Sequence, residues 1–139
     1  MTPVVYGTHL TLRLGEVERS DVLDSPHQLS AFLEQLIAGI GMRLIAGPVV
    51  ATEAGDDGHY GHSAVAILAE SHAAVHTYPR RSQLFLDVFS CRPFEPETVL
   101  TVCDSILGTC TVMESAVLER GYHWGTDAEK ELQHWRLER

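Results

Sequence analysis

The sequence predicts an α+β domain, a two-layer sandwich with a mainly antiparallel sheet and helices packed on one face. Three observations predict it. Short stretches in which apolar and polar residues alternate dominate the chain, as half-buried strands require. Two longer stretches carry apolar residues at helical spacing, and a run of strands separates them. Helices set apart from a run of strands, rather than alternating with them, favour antiparallel pairing. The 139 residues suit one domain, residues 1–139, and a 45% hydrophobic content supplies its core.

The elements follow in order. Thr8, Leu10, Leu12 and Leu14 alternate with His9, Thr11 and Arg13, which predicts a strand over 4–14. Residues 15–24 are polar and read as a loop. Ser25-Pro26-His27-Gln28 begins a helix, with Ser as N-cap, Pro in the first turn and Gln three residues after the cap. Leu29, Phe32, Leu33, Leu36, Ile37 and Ile40 form its apolar face, and Gly39 and Gly41 suit its end. Residues 43–52 predict a strand interrupted or ended near Gly47-Pro48, and the following EAGDDGHYGH is a loop by composition. Ser63–Ala69 is a nearly continuous apolar run, as in a central strand. Ala73–Tyr78 and Leu84–Phe89 are two more strands, joined by a turn at Pro79-Arg80-Arg81-Ser82. A second helix starts near Glu95-Pro96, carries Val99, Leu100, Cys103, Ile106 and Leu107, and stops at Gly108. Residues 110–118 form a last strand. Thr126-Asp127-Ala128-Glu129 is a capping box for a short terminal helix with Leu132 and Trp135 on one side. No repeat, low-complexity tract or linker divides the chain.

Ten Lys+Arg against nineteen Asp+Glu give a formal charge of -9, which argues against general affinity for nucleic acid or anionic membrane. No apolar run approaches the roughly 20 residues of a membrane span, and MTPVVYGTHL lacks the features of a signal peptide. A cytoplasmic protein is expected. The three cysteines, Cys91, Cys103 and Cys110, are odd in number and form no CxxC pair, so neither a disulfide framework nor a cysteine zinc site is expected.

Four histidines, His59, His62, His72 and His76, fall close together. None has a carboxylate or thiol at a recognised ligand spacing, and no metal site is assigned. Surface or loop histidines are the plain reading of His59 and His62. Ser71, at the end of an apolar strand, reads as an ordinary turn residue or, with His76 and Cys91 on adjoining strands, as part of a nucleophile, base and proton-donor set.

The stretch AESHAAVHTYPRRSQLFLDVFSC resembles the core of the bacterial S-adenosylmethionine decarboxylase proenzymes, whose pattern runs approximately ESH-x-x-x-HTWPE…DVFTC. Glu70-Ser71-His72, His76-Thr77, Pro79, Asp87-Val88-Phe89 and Cys91 match it; Ser63 matches a further active-site serine, and Gly7-Thr8-His9 the opening G-x-H. The resemblance spans roughly residues 5–118. It implies a chain that cuts itself between Glu70 and Ser71 into a β chain, 1–70, and an α chain, 71–139. Ser71 would become a pyruvoyl group that forms a Schiff base with the substrate amine and draws off electrons as carbon dioxide leaves. The resemblance gives His76 the removal of the Ser71 α-proton, Ser63 a supporting hydrogen bond, and Cys91 the protonation of the substrate carbon. It implies a small amino-acid substrate, a place in polyamine biosynthesis, and a homodimer or larger assembly with the active site near a subunit contact.

The substrate-binding positions depart from the pattern. Tyr78 stands for Trp, and Arg80 for a Glu expected to accept ribose hydrogen bonds; a guanidinium has donors only. The loop Phe that stacks on adenine falls on Asp57, at a cost of about 1–3 kcal/mol if nothing replaces it. Tyr60 is the candidate replacement. S-adenosylmethionine therefore leads as substrate, with L-arginine or L-ornithine as the alternative, since Asp56 and Asp57 suit a cationic side chain or are a solvated turn. A binding or regulatory homologue that does not process itself is the reading from another class.

Overall fold

The computed structural model describes residues 5–56, 58–122, 124 and 128–138. The elements are β1 (Gly7–Gly15), α1 (Ser20–Leu23), α2 (Pro26–Gly39), β2 (Leu44–Glu53), β3 (Gly61–Leu68), β4 (Ser71–Tyr78), a 3-10 turn at Pro79–Arg81, β5 (Gln83–Ser90), α3 (Pro96–Leu107), β6 (Thr111–Arg120) and α4 (Ala128–Leu137). All strands join one antiparallel sheet in the order β2-β3-β4-β5-β1-β6.

Period-2 alternation decides which face is filled. Leu10, Leu12 and Leu14 of β1, Ala64, Ala66 and Leu68 of β3, Ala73 and Val75 of β4, and Leu84, Leu86 and Val88 of β5 are buried. They meet Leu29, Phe32, Leu33, Leu36 and Ile37 of α2 and Val99, Cys103 and Leu107 of α3. The alanines of β3 and β4 lie where α2 crosses, so small side chains let the helix sit close to the sheet. Nothing covers the opposite face among the described residues: Val65, Ile67 and Phe85 remain 43, 54 and 41% exposed. The two-layer α+β architecture is thus as the alternation predicts.

Ser25 caps α2 as predicted, its hydroxyl accepting the Gln28 N–H at 3.1 Å. The predicted loop 15–24 is a correction, for it contains α1. One turn is too short to show a helical period; it forms because Val22 and Leu23 are pulled into the core. Gly47-Pro48 does not end β2, which continues to Glu53 with register shifts between Leu44 and Ala46 and between Ala46 and Val49. β4 starts at Ser71 rather than Ala73, so β3 and β4 form a hairpin closed by Ala69-Glu70. The first residues of the predicted strand 4–14, the capping residues Thr126 and Asp127, and Asp57 lie outside the described residues. No described helix is long and apolar enough to cross a membrane.

Candidate active site

The hairpin tip is the first of two places where the expected residues gather. Ser71 opens β4 opposite Ser90 of β5, with φ at 153°. A positive φ in a residue with a Cβ stores about 1–3 kcal/mol of backbone strain. Arg43 grips the turn from both sides, its N–H donating to Glu70 Oε1 at 3.0 Å and its carbonyl accepting the Ala69 N–H at 2.8 Å. The Cys91 N–H donates to the Glu70 carbonyl oxygen at 3.0 Å. A bend fixes that donor: Ser90 Oγ donates to the Arg92 carbonyl at 2.8 Å and accepts the Arg92 N–H at 2.9 Å. A carbonyl that already accepts a backbone N–H is polarised, and negative charge developing on it would be met by a donor in place. The Cys91 thiol is exposed, whereas burial pushes the Cys103 thiol up to about 12 and the Cys110 thiol up to about 11.

The second place lies toward the other end of β3 and β4. Ser63 and His76 are directly paired across the strands, with Ser63 Oγ 2.7 Å from His76 Nδ1. A hydroxyl that accepts the Nδ1 proton of an imidazole orients the ring and leaves the lone pair on Nε2 to take a proton. Below them Thr77, 1% exposed, donates to the Leu23 carbonyl at 2.7 Å, tying β4 to α1. Gly61 faces the Thr77 carbonyl, where a Cβ has no room.

Beside this pair is a cavity of about 260 Å³ lined by Glu53, His59, Gly61, His62, Ser63, Thr77 and Tyr78. The buried His62 bonds through Nδ1 to Thr52 Oγ1 at 2.8 Å and through Nε2 to Asp24 Oδ1 at 3.2 Å. The Tyr60 hydroxyl donates to the same Asp24 oxygen at 2.6 Å, which, with His62, holds the Asp24 carboxyl below its ordinary range and raises the Tyr60 phenol. Arg80 lies over the Tyr60 ring, 4.6 Å from its centre. Tyr60 is therefore held between Asp24 and Arg80. Tyr78 meets the edge of Phe85, ring centres 6.0 Å apart, and Asp56 accepts from the His59 backbone at 2.9 Å.

The two places are five residues apart along β4, about 17 Å at the rise of an extended strand. Ser71 and Cys91 come together at one end and Ser63 and His76 at the other. The set expected from Ser71, His76 and Cys91 is thus not assembled within one chain, because Ser71 and His76 share a strand instead of facing each other across two. Sequence reasoning gave no role to Tyr6 and did not join His9, His72 and Asp87, yet they also meet here. Tyr6 Oη is 3.5 Å from Ser71 Oγ. On the open face His9, His72 and Asp87 bring three ligating atoms within 4.8 Å of one another, Asp87 Oδ2 lying 2.9 Å from His9 Nε2 and 3.4 Å from His72 Nε2. Arg120 Nη1 donates to His9 Nδ1 at 3.3 Å, which leaves the proton of a neutral His9 on Nε2, directed at Asp87. That arrangement is a hydrogen-bonded network on the open face. His9, His72 and Asp87 each match the family pattern, and the alternation puts all three on the uncovered side, but neither signal joins them into one group.

The sequence pattern of the family described as S-adenosylmethionine decarboxylase matches residues 8–121. An S-adenosylmethionine decarboxylase proenzyme of Aeropyrum pernix is 31% identical over 87 residues, 63% of this chain and 62% of that protein. The matched stretch thus spans less than two thirds of that relative's length. The crystal structure of the adenosylmethionine decarboxylase from Aquifex aeolicus shares the fold, with a TM-score of 0.70 and 22% identity over 84% of this chain and 92% of that one. By the breadth of the first match, the chain belongs to the S-adenosylmethionine decarboxylase family.

Proposed function

We propose that the chain is the precursor of a pyruvoyl-dependent S-adenosylmethionine decarboxylase of the cytoplasm, which cuts itself into residues 1–70 and 71–139. The observation that carries this reading is the condition of the Glu70–Ser71 bond: its serine has a positive φ, and its carbonyl oxygen accepts the Cys91 N–H at 3.0 Å. Attack by Ser71 Oγ on the Glu70 carbonyl carbon forms a C–O bond and moves an electron pair onto the carbonyl oxygen, where Cys91 donates. The C–N bond then breaks, and the nitrogen takes the proton that the hydroxyl lost. A base removes the Ser71 α-proton from the resulting ester, the Cβ–Oγ bond breaks, and Glu70 leaves as a carboxylate. The enamine left behind shifts a proton from nitrogen to Cβ, water adds to the resulting imine carbon and the nitrogen departs as ammonia, and a pyruvoyl group caps residue 71.

The surroundings suit such a group, since residue 71 pairs with Ser90 and the exposed Cys91 thiol follows directly. When present, the pyruvoyl ketone takes the substrate amine and draws in the electron pair left by carbon dioxide. Cys91 Sγ then supplies the proton to the substrate carbon.

His76 is the base, with Ser63 orienting it. Because they lie about 17 Å from the Ser71 of their own strand, His76 and Ser63 of a second copy serve each Ser71. The open sheet face, with Val65, Ile67 and Phe85 exposed, is the surface on which two copies meet in a homodimer. A two-fold axis through that face brings the hairpin tip of one sheet over the Ser63–His76 end of the other.

One observation favours a second substrate class, L-arginine or L-ornithine. Arg80 occupies the place of a ribose-binding carboxylate and is packed on Tyr60, while Glu53 lines the cavity beside Ser63. Denaturing mass spectrometry of the purified protein tests the central reading: two fragments with a pyruvoyl mass at residue 71 support it, and an intact chain with an ordinary serine refutes it in favour of a non-processing homologue. Carbon dioxide release from S-adenosylmethionine, arginine and ornithine in parallel decides the substrate.

A further inference from the structure

Two aromatic residues outside the stretch matched by the family pattern, Tyr6 and Trp124, meet beside residue 71. Tyr6 is held on several sides. Its N–H donates to the Gly121 carbonyl at 3.1 Å, and the same carbonyl accepts the Trp124 N–H at 3.2 Å. Gly121 has φ at +75°, and a Cβ there would collide with the Tyr6 Cβ, so only glycine lets the two backbones lie this close. The Tyr6 ring meets Trp124 edge-on with centres 5.0 Å apart and Phe89 at 5.7 Å. The clamped ring directs its hydroxyl to within 3.5 Å of Ser71 Oγ.

We infer that Tyr6 is a further residue of the self-cleavage site: its hydroxyl oxygen accepts the Ser71 hydroxyl hydrogen and so aims an Oγ lone pair at the Glu70 carbonyl carbon. The inference rests on the self-processing reading. A serine hydroxyl at a strand end rotates among three staggered rotamers, and an acceptor fixed by packing selects one of them without losing its own freedom in the process. Tyr6 begins and ends the step neutral. The proton leaves Ser71 Oγ as the C–O bond forms and finishes on the Ser71 nitrogen as the C–N bond breaks. The hydroxyl thus contributes orientation, and the ring contributes the fixing of that hydroxyl.

The two contributions separate experimentally. Full-length chain is made by cell-free translation, and cleavage is followed in time by denaturing gel and intact mass for wild type, Tyr6→Phe and Tyr6→Leu. Tyr6→Phe keeps the ring between Trp124 and Phe89 and removes only the hydroxyl. It slows cleavage on the order of five- to tenfold, the loss of one orienting hydrogen bond, with an unchanged melting temperature. Tyr6→Leu processes no faster than Tyr6→Phe. Wild-type cleavage by Tyr6→Phe overturns the inference, and if Tyr6→Leu alone is slow the role is packing. In either case self-processing stands. A wild-type chain that never cleaves removes the self-processing reading itself, a result distinct from the other two.

Discussion

The separation of Ser71 from His76 makes a quantitative prediction about mixed chains. Both lie on β4, five residues apart, so their Cα atoms are about 17 Å apart at roughly 3.4 Å per residue. Proton transfer requires contact of about 3 Å, and no rotation of an imidazole or hydroxymethyl spans the difference. A chain with Ser71→Ala has no nucleophile but an intact Ser63–His76 pair, bonded at 2.7 Å. A chain with His76→Ala keeps Ser71 and lacks the base. Each alone stays uncut, or accumulates ester in the second case. In a mixed dimer the His76→Ala chain meets an intact His76 from the other copy. Equal co-expression with random pairing puts about half of the His76→Ala chains into mixed dimers, so about half of them are cut. Denaturing mass spectrometry of differently tagged chains gives that half before the dimers are sorted, and after purification through both tags it should find essentially every His76→Ala chain cut. If purified mixed dimers show no cut chain while both variants are folded, the shared site is wrong. Normal processing by His76→Ala alone would remove His76 from the mechanism altogether.

Three further predictions test the other parts. Ile67→Asp on the open face weakens self-association: Ile67 is 54% exposed, and burying on the order of 100 Å² of it contributes about 2.5 kcal/mol per copy. Sedimentation equilibrium should show a dissociation constant raised at least a hundredfold, and slower self-cleavage should follow; unchanged association would mean the face is not the contact. Cys91→Ala retains its backbone N–H, so it should still be cut yet release carbon dioxide at least tenfold more slowly; full turnover would exclude the thiol. Asp24→Asn tests the network behind Tyr60 and His62. The Asp24 carboxyl is held below its ordinary 3.8 by the Tyr60 hydroxyl and then by His62. A lowered folded-state value means stabilisation present above that ordinary value and lost as pH falls through the lower one. Wild type should therefore melt higher than Asp24→Asn near neutrality, the two converging below about pH 3.8; a gap that persists in acid would contradict this.

Local signals made the scaffold legible, and longer-range ones hid the rest. Ser25-Pro26 announced α2 because a cap and a first-turn proline act within a few residues. The alternation of Leu10, Leu12 and Leu14 announced β1 and its buried face for the same reason. α1 was missed because four residues cannot display a period of 3.6, and Val22 and Leu23 are drawn inward by tertiary packing. The resemblance of Glu70-Ser71-His72 to a known pattern pointed to the tip between β3 and β4, but not that Ser71 starts a strand on which His76 lies out of reach. Tyr6 and Trp124 carried no signal in either motif or period. They meet only because Tyr6, just ahead of β1, and Gly121, just beyond β6, leave the same end of neighbouring antiparallel strands.

The hairpin also bears on how the chain would survive the proposed cut after Glu70, in the middle of its sheet. β3 and β4 are joined through seven register pairs, from His62↔Thr77 to Leu68↔Ser71, and β4 is held on its other edge by β5. Scission after Glu70 removes one covalent link at the end of this ladder and leaves the pairing beyond it, and the buried Ala66, Ala73 and Val75 beneath it, in place. The positive φ of Ser71 belongs to the uncut turn, and the proposed cleavage would free the new end from the geometry that imposed it. Relief of about 1–3 kcal/mol favours scission there by roughly five- to a hundredfold. Strain at the tip and redundancy below it therefore act together in the proposed processing: the first would promote the cut, and the second would keep both fragments in one fold.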